Sequence, residues 1–299
     1  MRLLKNINFF PGTGNVSSEV WGYVSGGREY ALVGGQTGTY FVDITDSLNI
    51  HAVDFLPGIN YMYRVMKTFS HYAYICSEAI NSGVQIVDLQ YLPDSIRFVG
   101  QYNAPGHSTT HTIQQSGAYL YLMGCNASFT EGIAVLDLSI NPEQPVLRGK
   151  WNDTYVHDCR VVNDTIWACC FNTGKISVIN AVDKNNLTNV TNWLNIPNSL
   201  THSCVLTPDR KYLFATDETF TPASRLKVWN IQDLVNPILE RIWIPSQIFN
   251  NCAVHNIELS GNQLVSVYYG AGVKLFDISS PGNPIEIGWY DTWPLNNES

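Results

Sequence analysis

A chain of 299 residues is longer than a minimal domain needs and within the reach of one all-β barrel or propeller, so a single domain over 1–299 is expected. Hydrophobic residues at 45% can build a large core, while charged residues at 14% fall well below the roughly 25% of an average soluble protein. A formal charge of −8 with only 17 Lys and Arg argues against nucleic acid or an anionic membrane as partner and favours a cation or a small neutral polar ligand.

The N-terminus, Met1-Arg2-Leu3-Leu4-Lys5, begins like a basic leader, but Lys5, Asn6 and Asn8 break its apolar stretch before it reaches signal-peptide length. Leu3 to Phe10 reads as a surplus outer strand that helps close a ring. No run of about 18 apolar residues follows, so no segment is expected to span a membrane. The sequence leaves the oligomeric state open.

From there one pattern returns about every 45 residues, the period of a four-stranded propeller blade. A short strand is followed by a second of the type Tyr30-Ala31-Leu32-Val33, a third ending in Asp or Asn, and a fourth launched by proline. The third strand carries the signal: Gly38 to Asp43, Gly83 to Asp88, Gly132 to Asp137, Gly174 to Asn180, Leu226 to Asn230 and Gly272 to Asp277. Six copies predict an all-β, six-bladed β-propeller of four-stranded antiparallel blades. The glycine permits a tight entry from the preceding hairpin, and the closing Asp or Asn can accept backbone amides in the next turn. Asn141-Pro142, Asn236-Pro237 and Asn283-Pro284 launch the outer strands Val146 to Trp151, Ile238 to Trp243 and Ile285 to Tyr290.

Aligning the copies on their first strands brings Trp21, Arg64, His111, His157, His202 and His255 to one repeat position. First strands line a propeller's axis, so these residues are expected to form a ring at one mouth of the channel. Imidazoles gathered this way repel one another if protonated and suit a bound cation. His111, His157, His202 and His255 are therefore the expected metal ligands, for zinc foremost and calcium as the alternative. The hairpins after the second strands add Glu78, Asp217, Glu218 and Tyr269 on the same face. Arg64 would bind an anionic group, and Tyr63, Tyr269 or Glu218 would serve as acid or base. Cys159 and Cys204, each two residues beyond a histidine, are weaker candidates as soft ligands. The seven cysteines include no CxxC pair and read as buried free thiols.

The runs Tyr155-Val156-His157-Asp158, Leu200-Thr201-His202 to Asp217-Glu218, and Val254-His255-Asn256 to Gly272-Val273-Lys274-Leu275-Phe276-Asp277 resemble the LVIVD-repeat propellers, also called choice-of-anchor B proteins. Ser77-Glu78 with Gly83 to Leu89, and Trp21-Gly22-Tyr23, add to the resemblance, which covers about Val16 to Tyr290. It implies an extracellular or cell-surface location and no particular reaction. A similar arrangement of channel histidines around zinc occurs in the peptide-amidating lyases, an analogy of fold and site only. Two functions compete: a metal-dependent lyase or hydrolase acting on a small polar molecule, and a non-catalytic module binding a protein or glycan. No Gly-X-Ser-X-Gly elbow supports a serine hydrolase, and no phosphate-cradling loop precedes a helix.

Overall fold

The computed structural model describes residues 1–9, 17–197, 199–219, 225–244 and 252–292. Its strands form six antiparallel four-stranded sheets, each built from four strands consecutive in sequence. The only helical element among the described residues is one 3-10 turn, Phe171–Thr173. This is the six-bladed, all-β class that the repeat predicts. The chain divides into two compact units.

The first of these runs from Leu3 to Asp153 with Asp183–Leu187. It holds the sheets β1 (Ser17–Ser25), β2 (Arg28–Gly35), β3 (Gly38–Asp43), β4 (His51–Pro57); β5 (Arg64–Phe69), β6 (Tyr72–Ser77), β7 (Val84–Asp88), β8 (Arg97–Tyr102); and β9 (Thr112–Ser116), β10 (Tyr119–Met123), β11 (Ile133–Asp137), β12 (Val146–Trp151). Tyr74, Ile86, Leu120, Leu122 and Leu136 pack between neighbouring sheets here. Leu3 to Phe10 was expected to be a strand. Residues 1–9 carry none and Phe10 lies outside the described residues, while β4 already supplies the first sheet's outer strand. Lys5 instead donates to the Leu48 carbonyl, and Phe9 packs its ring on Tyr40.

The other unit comprises Met1–Arg2, Thr154–Val182 and Thr188–Ser299. Its sheets are β13 (Asp158–Val162), β14 (Thr165–Cys170), β15 (Lys175–Asn180), β16 (Thr188–Leu194); β17 (Thr201–Leu206), β18 (Tyr212–Asp217), β19 (Arg225–Asn230), β20 (Ile238–Trp243); and β21 (Val254–Ser260), β22 (Gln263–Tyr268), β23 (Gly272–Asp277), β24 (Ile285–Tyr290). Two clusters cement them, one around Trp167, Cys169, Cys204 and Leu213, the other around Phe214, Val228, Leu264 and Phe276.

The turn chemistry is the expected one in all six sheets. Asp43, Asp88, Asp137, Asn180, Asn230 and Asp277 each accept the amide two residues on, at 2.8–3.2 Å. All six sheets also carry a bulge between third and fourth strands at one repeat position, from Phe41/Val42 to Leu275/Phe276. A bulge sharpens the local twist and so turns the outer strand away from the inner ones.

Candidate metal centre

Three first strands, β1, β17 and β21, carry a second bulge that the others lack. In β17, Thr201 pairs with Asp217 and Cys204 with Ala215, so His202 and Ser203 together face Thr216. In β21, Val254 pairs with Tyr268 and Ile257 with Ser266, which puts His255 and Asn256 opposite one residue. The extra residue re-aims the side chain at each bulge. Thr216 satisfies the disturbed backbone: its hydroxyl accepts the Ser203 amide at 3.2 Å and donates to the His255 carbonyl at 2.9 Å. His157 needs no bulge, since its amide extends the ladder to the Cys169 carbonyl at 2.9 Å.

These backbones deliver three imidazoles in a row. The His157 and His202 ring centroids are 4.3 Å apart, and those of His202 and His255 are 4.1 Å apart. Phe171 stacks on His157 at 5.2 Å, and Tyr155 meets it edge-on at 6.3 Å. Glu218, first residue after β18, places Oε2 3.7 Å from His202 Nε2 and accepts the Tyr269 hydroxyl on Oε1 at 2.9 Å. Tyr269 in turn lies 5.0 Å, ring to ring, from His255. His202 is 2% exposed, Glu218 partly buried and Tyr269 41% exposed, so the group opens outward past the tyrosine.

One donor atom from each of His157, His202 and Glu218 lies within 4.8 Å of the other two. Two imidazoles and a carboxylate are a known zinc donor set, and bonds of about 2.0 Å in a tetrahedron separate donors by roughly 3.3 Å. Small side-chain rotations close that gap. The donor chemistry therefore fits a divalent ion. His255 flanks this trio without entering it. Beside Glu218, burial pushes the Asp217 carboxyl up to about 7 against the pull of Lys227, and burial also lowers the Lys227 ammonium below the ordinary lysine range.

His111, Tyr63, Arg64 and Trp21 lie in the other unit. His111, just before β9, holds its amide on the Met123 carbonyl and brings Nδ1 to 3.0 Å from Glu78 Oε1. That bond to His111 is the main reason the Glu78 carboxyl sits below its ordinary range. Tyr63 meets the His111 ring edge-on at 6.3 Å. Arg64 is 2% exposed: Nε donates to the Gly35 carbonyl at 2.8 Å and Nη2 to the Ile59 carbonyl. Through Nε and Nη2, Arg64 ties the end of β2 to the loop that precedes β5.

The repeat count placed Trp21 at the ring position, but it lies four residues farther along β1 than the residue that holds it. It pairs with Leu32, whereas the residue matching Arg64 in the first sheet is Ser17, paired with Gly35. Trp21 instead bonds Thr68 and receives the Lys67 ammonium 3.9 Å above its ring. Cys159 and Cys204 belong to the core: Cys204 Sγ points to the Trp167 carbonyl at 3.5 Å, and burial drives the Cys159 thiol well above its usual range. All seven cysteines are buried free thiols.

Fold and cluster together define a six-bladed β-propeller with a candidate His–His–Glu metal centre. Solved structures share the fold. A Lactobacillus plantarum protein superposes with a TM-score of 0.67 at 15% identity, over 93% of this chain and 82% of that one. A Bacteroides fragilis protein provisionally assigned as a 6-phosphogluconolactonase gives 0.66 at 14%, over 94% and 84%. The periplasmic gluconolactonase of Pseudomonas aeruginosa gives 0.62 at 9%, over 88% and 78%. At such identities the likeness is one of fold alone. No protein-family model and no curated protein matches the chain.

Proposed function

We propose that the chain is a metal-dependent hydrolase of a small polar substrate, holding a divalent ion, zinc foremost, on His157, His202 and Glu218. The convergence of these three donors carries the reading. A zinc ion in such a site supplies Lewis acidity and an activated water. Tyr269 holds one Glu218 oxygen and so directs the other toward His202. Being exposed, the Tyr269 phenol is placed to protonate a leaving oxygen, and His255 beside it accepts a proton from water. The gluconolactonases that share the fold make a lactone or sugar ester the first substrate class to assay. The motif resemblance to the LVIVD-repeat propellers is compatible with this assignment and names no reaction of its own.

The test is elemental analysis of protein purified without chelator, with zinc titration of the wild type and His202→Ala. About one zinc per chain, lost in the variant, supports the proposal. No zinc, and no stabilisation by added zinc or calcium, would favour the second reading, a protein- or glycan-binding module. That reading draws on the exposed loop residues Ile59, Tyr61, Met62 and Tyr63, an apolar and tyrosine-rich composition common in binding surfaces.

A further inference from the structure

The last residue of the second strand pairs with the first of the third in several sheets. That position holds Gly35, Cys170 and Tyr268 in the first, fourth and sixth sheets, and Asp217 in the fifth. Two residues along the third strand, the same sheets carry Tyr40, Ser177, Lys274 and, in the fifth, Lys227. Only in the fifth of these do the two positions form an ion pair, and both side chains are fully buried. Asn195, also fully buried, completes the group. Its Nδ2 donates to Asp217 Oδ1 at 2.9 Å, its carbonyl accepts the Lys227 ammonium, and its Oδ1 accepts Trp229 Nε1 at 2.8 Å.

An ion pair of this kind is costly to desolvate, and an apolar pair of similar volume would hold the sheet as well or better. Stability therefore does not account for a break in the repeat at this point. Location does. The next peptide carries Glu218, whose amide donates to the Leu200 carbonyl at 3.0 Å, and the Thr219 amide folds back onto the Asp217 carbonyl at 2.8 Å. The chain is pinned on both sides of the one carboxylate in the donor trio. Departures from a local rule gather where function requires them.

We propose that Lys227 and Asn195, acting through Asp217, are positioning residues that hold Glu218 in ligating geometry. This rests on the metal reading above. Groups that orient a metal ligand set its affinity, and their loss typically weakens binding by about 10- to 100-fold.

Zinc affinity, measured against a chelating indicator, decides the matter alongside the thermal midpoint. The double variant Asp217→Leu/Lys227→Met removes both charges together, so no lone charge is left buried. It should keep the β-sheet spectrum and a midpoint near that of the wild type, while its zinc Kd rises at least tenfold. Asn195→Ala, a milder change, should raise Kd severalfold, and it decides alone if the double variant does not fold. Lys274→Met, which removes the partner of Glu286 in the sixth sheet, is the structural control: its midpoint falls and its Kd stays put. Wild-type affinity in both test variants would overturn the positioning role while leaving the metal centre standing. A wild type that binds no zinc would overturn the metal centre and this role with it.

Discussion

His202 is where chemistry and burial meet most closely, because it contacts another imidazole on each side and Glu218 besides. Two cations about 4 Å apart repel by roughly 4 kcal/mol at an effective dielectric near 20, so a neutral stack beside one carboxylate is suited to a divalent ion. Ligand imidazole must be deprotonated, and zinc occupancy should fall as pH drops through about 6. Equilibrium dialysis at pH 5 and pH 7.5 measures this, and equal occupancy at both would refute it. His107 offers an independent pH effect. Burial, with Lys150 nearby, lowers its pKa to about 4, and Thr110 bonds its Nε2 at 2.8 Å. The unfolded chain takes up this proton near pH 6.5 and the folded chain only near 4. Stability is therefore present above 6.5 and lost as pH falls toward 4, by about 3 kcal/mol at most. His107→Gln should lose less stability than wild type between pH 7.5 and 4.5 in urea titrations. Parallel losses would show that His107 does not titrate this way.

Among the elements, those legible in the sequence are the ones whose signal is local. The third strands and the outer strands β12, β20 and β24 fall where glycine, Asp and proline punctuate the chain. The bulges were not legible, because an inserted residue changes no composition and no hydrophobic period, only the count. The histidine alignment found His157, His202 and His255, and it misplaced Trp21. Asp217 and Glu218 stood out in the sequence as a carboxylate pair facing the ring, and the turn of the chain after β18 brings Glu218 within reach of His157 and His202. Gly272 tests the hairpin logic. Its φ is +65°, and a Cβ there would lie 2.2 Å from the Tyr290 carbonyl oxygen. Gly272→Ala forces both left-handed strain and a backbone shift, at an expected cost of about 3 kcal/mol. Chemical denaturation should show the loss, and an unchanged midpoint would mean that β24 yields freely.

At the scale of the whole molecule the repeat count alone was enough to set the fold class, since six copies of one strand pattern leave few architectures open. The expected seventh strand failed because β4 already fills that place. Removing residues 252–299 takes away β21 to β24 and uncovers Val205, Phe214, Leu226 and Val228. Exposing four large apolar side chains costs about 1.5–3 kcal/mol each. The sum approaches the entire stability of a typical domain, about 5–15 kcal/mol. The truncated chain should be insoluble or molten. A cooperative thermal transition in it would mean that the fifth sheet tolerates an open face.

Because every sheet is made of strands adjacent in the chain, the order of biosynthesis is also an order of assembly. The donors span positions 157 to 218, and the tyrosine that steadies the last of them is residue 269. A chain emerging from a ribosome has therefore completed four sheets before the carboxylate donor exists, and nearly the whole sequence before that donor is held in place. On the proposed metal reading, capture would be a late event in the life of the nascent chain, and an ion scavenged earlier by loose histidines would have to be surrendered and bound again.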